Sequence, residues 1–293
     1  MKKRLIPAAL ALLTAGAANP QSAPPAPSQV YASSLYLRVT AEKQAAFVEF
    51  YKSGLGAKAA RGRLAADPNL TSVSLRQAAY AGVNAPPANF VLVSVTNGAP
   101  AELDPAKRDE VYRKATGVSY ADYIAKAREL STVTGSTLSH VHERTPDYQS
   151  AEGDYIVMSR IKVNPTRSQD LNEVNRTMRL PLNTQRVKDG ALKGWSFSHL
   201  VFPAGNSLPW TATETTLHKD LANAVGGPGT GAGGGGGGGG GGAMGLGGGG
   251  GANAAYFAKV LPNANYTQFL DVVRDGRTVV RRDLYRVVAA YHK

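Results

Sequence analysis

Two histidines stand two apart in "STLSHVHER", His140 and His142, so any strand through them carries both on one face. A third, His199 in "GWSFSHLVF", shares a strand face with Trp195 and Phe197, and Glu214 shares one with Trp210. Imidazoles are the side chains that exchange protons near neutral pH, and they also bind metals. If these faces point into a hollow between two sheets, Gln77, His140, His142, Trp195, His199 and Arg286 converge there as a ligand-binding set. The tryptophan supplies an apolar wall and the others supply directional polar groups. If the faces point to water, or into a hydrogen-bonded core, the same residues are ordinary strand polar groups. A zinc site built from His-x-His with a distant His and Glu is chemically conceivable. The chain has no HExxH and no cysteine, and no metal is assigned. "GWSFS" lacks the second glycine of a nucleophile elbow, so no catalytic residue is assigned either.

The elements that would position these residues form a repeated pattern. "LTSVSLRQAAYAGVN" (70–84) and "LKGWSFSHLVFPAGN" (192–206) align at an offset of 122, pairing Val73 with Trp195, Leu75 with Phe197 and Gln77 with His199. "YADYIAKARELSTVTGSTLSHVHER" (120–144) lies over "YTQFLDVVRDGRTVVRRDLYRVVAA" (266–290) at an offset of 146, pairing His140 with Arg286 and Val141 with Val287. A single glycine-rich insertion reconciles the two offsets. Each half reads as strand, helix, strand, strand, helix, strand. In the first half the strands fall near 34–39, 70–80, 89–96 and 136–144, with Gly54 and Gly56 ending the first helix. In the second they fall near 154–163, 192–202, 210–217 and 283–291, and Pro181 bends or breaks a helix that starts near Thr166. This is the order of the split βαβ, or ferredoxin-like, arrangement. Helices cover one face of such a sheet, so the bare faces of two copies pack face to face or close into a barrel with the helices outside. The expected fold class is therefore α+β, with two tandem ferredoxin-like βαββαβ modules over 31–149 and 150–293.

On residues 192–217, the two helix–strand blocks and this strand order, the chain resembles the dimeric α/β-barrel superfamily, which includes the antibiotic-biosynthesis-monooxygenase-like proteins. The resemblance implies a place among cofactor-free oxygenases, haem-handling proteins and small-molecule binders. No catalytic signature of the superfamily matches residue by residue, and none is carried over.

Composition sets the surroundings. Lys2, Lys3 and Arg4, an apolar run to about Leu13 and a small-residue site at Ala15-Gly16-Ala17 form the layout of a signal peptide over 1–18. The expected location is periplasmic or extracellular. Residues 19–30 read as a Pro-rich tether, and no later segment is long and apolar enough to span a membrane. The formal charge is +12. The basic residues are interrupted by acids and lack interleaved aromatics, which argues against nucleic acid and leaves at most weak contact with acidic polymers. The tract 226–251 holds 20 of the chain's 33 glycines and reads as a disordered insertion. The leading expectation is an exported protein that binds a small molecule between its sheets without a cofactor. The alternatives are a cofactor-independent monooxygenase-like enzyme, with His140 or His199 as base, and a non-catalytic envelope or surface-interaction protein.

Overall fold

Strands and helices follow one another in the computed structural model, which describes residues 29–80, 88–100, 103–203, 208–226 and 250–293. Strand β1 (Val30–Arg38) leads into helices α1 (Gln44–Lys52) and α2 (Leu55–Ala66). Strands β2 (Leu70–Tyr80) and β3 (Phe90–Asn97), helices α3 (Pro105–Thr116) and α4 (Tyr120–Leu130), and strand β4 (Thr132–Arg144) complete the first half. The second half opens with β5 (Tyr155–Val163), α5 (Ser168–Val174) and α6 (Leu180–Lys188). It continues through β6 (Gly194–Phe202), β7 (Ala212–His218), α7 (Leu221–Gly226), α8 (Gly250–Val260), α9 (Tyr266–Gly276) and β8 (Arg277–His292). The signal-like segment, most of the tether and residues 227–249 of the glycine tract lie outside the described residues.

Side-chain chemistry explains several boundaries. Asp104 caps α3 by accepting from the Ala106 and Lys107 amides, with Pro105 at the first helical position. Ser119 caps α4 through the Asp122 amide, and Gly117 (φ 80°) closes α3 in the left-handed region that suits glycine. The first helix ends just before Gly54, and a second helix starts at once with Gly54 as its N-cap. The sharp passage between the two is close, since a Cβ on Gly56 would lie 2.8 Å from the Phe50 ring. Pro181 does not break its helix. Residues Asn175–Arg179 form a π turn just before it, and α6 carries on with Pro181 in its first turn, where the missing amide is not needed. Gly250 and Gly251, assigned by sequence to the disordered insertion, instead begin α8.

The eight strands form one closed barrel in the order β1-β3-β2-β8-β5-β7-β6-β4. Every neighbouring pair is antiparallel. The architecture is α+β, with the helices packed on the outer surface of the barrel. Within 30–144 the strands lie as fourth, first, third, second, and within 155–292 the order is the same. Two seams join these sets, β2 to β8 and β4 to β6.

Closure buries the inner face of the strands, and the helices bury much of the outer face. The inward face carries Tyr36, Val91, Val93, Ile156, Met158 and Val287. The outward face packs under helices: Leu75 and Phe90 against Phe47 and Tyr51 of α1, and Trp195, Phe197 and Ile161 against Leu171 of α5. Beyond β4 the chain turns at Asp147 (φ 57°), and Tyr148 lies over Gly194. A Cβ at Gly194 would stand 2.5 Å from the Tyr148 ring. Gly194→Ala therefore has to push the tyrosine out of place. The expected cost is about 1–3 kcal/mol, read as a lower denaturation midpoint in urea; an unchanged midpoint would show that the ring moves freely.

Candidate functional site

Neighbouring residues on a strand take opposite faces, and this decides where the sequence-selected residues go. Gln77, Trp195 and His199 lie on the outer face of the barrel. Gln77 donates to Gln44 Oε1 at the start of α1 at 3.2 Å. His199 bonds Asn172 Oδ1 of α5 at 2.9 Å. Trp195 is fully buried, and its indole N–H donates to Glu214 at 2.8 Å. The expectation that these residues line a hollow between the sheets is thus corrected: none of the six lines the barrel interior.

They gather at the two seams instead. His140 stands opposite His199 across the β4–β6 seam, and Gln77 stands opposite Arg286 across the β2–β8 seam. At the first seam the His140 and His142 rings are 4.8 Å apart, those of His142 and His199 are 4.5 Å apart, and Tyr31 stacks on His140 at 5.0 Å. Arg286 is exposed. Among the described residues no group of three or more His, Asp or Glu has the geometry to hold a metal ion.

Glu214 anchors a buried ionic network on the same outer face. Its carboxylate pairs with Arg179 in the π turn and with Arg277 Nη1 at 2.6 Å, besides accepting from the Trp195 indole. Burial alone would raise the Glu214 carboxyl; the two guanidiniums override it and hold the group well below the usual carboxylate range. The network ties β7 and β8 to the helix above them, a structural task.

The cavity lies on the other side of the wall. It occupies the barrel interior, has a volume of about 80 Å³ and follows the inner face of β1 past Val30, Ala32, Ser34 and Tyr36. Those residues span about 20 Å of strand. Exposed Arg144 and half-buried Tyr148 form its rim at the Val30 end. Arg76 pairs with Val91, which pairs with Tyr36, so Arg76 sits deep, at the level of Tyr36. One wall is apolar, with Ala32, Val93 and Val95; the opposite wall, from β6 and β7, carries the hydroxyls of Ser196, Ser198, Thr213 and Thr215. Below Tyr36 the interior is closed by Arg160, which donates to the Tyr36 hydroxyl at 3.1 Å, pairs with Asp283 at 3.4 Å and stacks on Trp210 at 4.4 Å. Sequence reasoning missed Arg76 and Arg160. The available signal was an arginine on the same alternation as small or apolar residues, as in "SVSLRQAAY" and "IVMSRIKV".

No protein-family model matches the chain, and neither does any curated protein sequence. Solved structures do share its fold. A "putative monooxygenase" of Fusobacterium nucleatum is 9% identical with a TM-score of 0.51, over 91% of this chain and 95% of that one. A protein of the same description from Lactobacillus acidophilus is 6% identical with a TM-score of 0.49, over 90% and 96%. A heme-binding protein of Thermus thermophilus is 8% identical with a TM-score of 0.44, over 89% and 94%. The first likeness shows a shared fold, the closed eight-stranded barrel with outer helices, and nothing finer. The barrel interior does not fit a haem. No histidine or cysteine lines it, and the hydroxyls of its two tyrosines are engaged by Arg160, Thr137 and Thr215.

The histidine cluster has a consequence for stability. Burial, with His142 and then His140 adding repulsion, lowers the His199 imidazole to about 4; burial and then His140 lower that of His142. A histidine whose folded pKa lies below its unfolded value of roughly 6.5 binds fewer protons when folded. Its contribution is complete above that unfolded value and is lost as pH falls from there through about 4. The urea midpoint of the wild type should fall across this window, and His199→Gln, which keeps an amide toward Asn172, should flatten the fall. Parallel curves for the two proteins would show that His199 carries none of it.

Proposed function

We propose that the chain is a small-molecule-binding protein whose ligand occupies the inside of the barrel, not the histidine face. The observation that carries this reading is the cavity itself, with an apolar wall, a hydroxyl-bearing wall and a buried arginine at its deep end. A mostly apolar hollow with a few convergent polar groups is the usual form of a small-ligand site. We also propose that the fold arose from two ferredoxin-like modules in tandem. Its support is the repeated strand order, together with the register at the seams, where Gln77 meets Arg286 as His199 meets His140.

The alternative, a cofactor-independent oxygenase, is compatible with the fold. With His140 or His199 as base, its substrate would sit on the outer face, because the barrel wall separates those imidazoles from the cavity. Export rests on the pattern of residues 1–18, and sequencing of the mature N-terminus tests it. A new terminus after Ala17 or Ala18 is expected; an intact Met1 on protein found only in the cytoplasm would contradict it.

The binding reading is tested by native mass spectrometry and thermal shift against a library of small polar organic molecules. Wild-type protein should gain stability from a subset of them. Ser198→Leu, which fills the cavity from β6, should abolish the gain while the far-ultraviolet spectrum stays native, and Ala32→Leu should do the same from β1. Hits that survive both substitutions would place binding elsewhere.

A further inference from the structure

Among the described residues, Arg76 is a buried charge inside the barrel with no acid against it. Arg76 is 6% exposed, and its Nε reaches Ser74 Oγ at 3.4 Å. It forms no ion pair among the described residues. Asp283, the buried acid of β8, is already shared by Arg160 at 3.4 Å and Arg281 at 2.7 Å. Arg160 Nη2 is also buried without a hydrogen-bond partner among the described residues.

A guanidinium cannot escape this cost by losing its proton. An unpaired buried charge is among the most expensive features a fold can hold, and a counter-charge removes most of that expense. Burial pulls Arg76 below its ordinary pKa, opposed by weaker electrostatic attraction to Tyr148, Tyr285 and Tyr36. Arg76 lines the cavity, so its free donors have open space before them where a planar anion can accept two parallel hydrogen bonds.

The rest of the lining narrows the class. The β1 and β3 side is mostly hydrocarbon, with Val30, Ala32, Val93 and Val95 around the single hydroxyl of Ser34 above Tyr36, which suits the body of an organic molecule more than a hydrated inorganic ion. Arg144 at the rim adds a second positive charge on the way in, which raises the local concentration of anions. We propose that the barrel interior binds a small organic carboxylate, its carboxylate on Arg76 and its hydrocarbon body against β1 and β3. This rests on the interior being the ligand compartment.

Calorimetric titration of the full chain with benzoate, and with benzamide as its uncharged counterpart, tests the proposal. Wild type should bind benzoate about ten- to a hundredfold more tightly than benzamide, the scale of one charge-assisted pair. Arg76→Met should remove that preference, and Arg76→Lys should retain part of it. Without ligand, Arg76→Met should melt at a higher temperature than wild type, since it deletes an uncompensated charge; a residue with a merely structural role would give the opposite shift. If Arg76→Met does not fold, the wild-type ratio and Arg76→Lys decide the matter. Equal affinity for the two probes, or no binding of either, overturns the carboxylate assignment. Equal affinities that both vanish in Ser198→Leu leave the compartment standing. Equal affinities that survive in Ser198→Leu remove the compartment as well.

Discussion

Closure of the barrel is the constraint from which the rest follows. Each strand is hydrogen-bonded on both sides, and the two seams, β2–β8 and β4–β6, leave no free edge in the sheet. Were the seams to part, the inner side chains of Tyr36, Val91, Ile156 and Val287 would meet water together. Their burial accounts for the fold without disulfides, which a chain lacking cysteine cannot form. The seams also fix register, because a slip of one residue would exchange the inner face of a strand for its outer one.

An eight-stranded barrel is just wide enough for its own side chains to fill it. Here the filling is uneven. Tyr36, Arg160 and Asp283 close one level with a hydrogen-bonded set. Along the rest of β1 the inner positions are Ala32 and Ser34, and the same cavity is lined by Ser139, Ser196, Ser198 and Thr213, side chains too short to meet in the middle. The cavity is thus the direct result of small residues at inward positions. The hydroxyls satisfy one another or the backbone, as Ser196 does with Thr215 at 2.6 Å and Ser198 with the Thr213 carbonyl at 3.3 Å. The guanidinium of Arg76 has no equivalent compensation, and this sets it apart within the lining.

The succession of strands and helices and the helices' outer position are legible in the sequence; the choice between two packed sheets and a closed barrel, and the facing of the strands, are not. Alternation distinguishes one face from the other, but in this fold both carry buried apolar residues, one set in the barrel and one under helices. Trp195, Phe197 and His199 were correctly grouped on one face, and that face turned out to pack on α5. Gln77 was selected where its neighbour, Arg76, holds the interior position. Other differences have equally local causes. Strand β8 starts at Arg277, six residues before the run that alternation marks out, because Arg277 and Arg281 find buried acids in Glu214 and Asp283, partners distant in sequence or otherwise invisible to pattern. The π turn at Asn175–Arg179 accommodates a proline that by itself signals a break.

The central claim, that a small molecule sits inside the barrel with its charge on Arg76, is tested most directly by crystallography of the protein with 4-bromobenzoate and anomalous data at the bromine edge. The account requires a bromine peak within the barrel, between the β1–β3 wall and the hydroxyls of β6 and β7, with the carboxylate against Arg76. A peak beside His140 and His199 on the outer surface, or an interior filled by rearranged side chains, would contradict it.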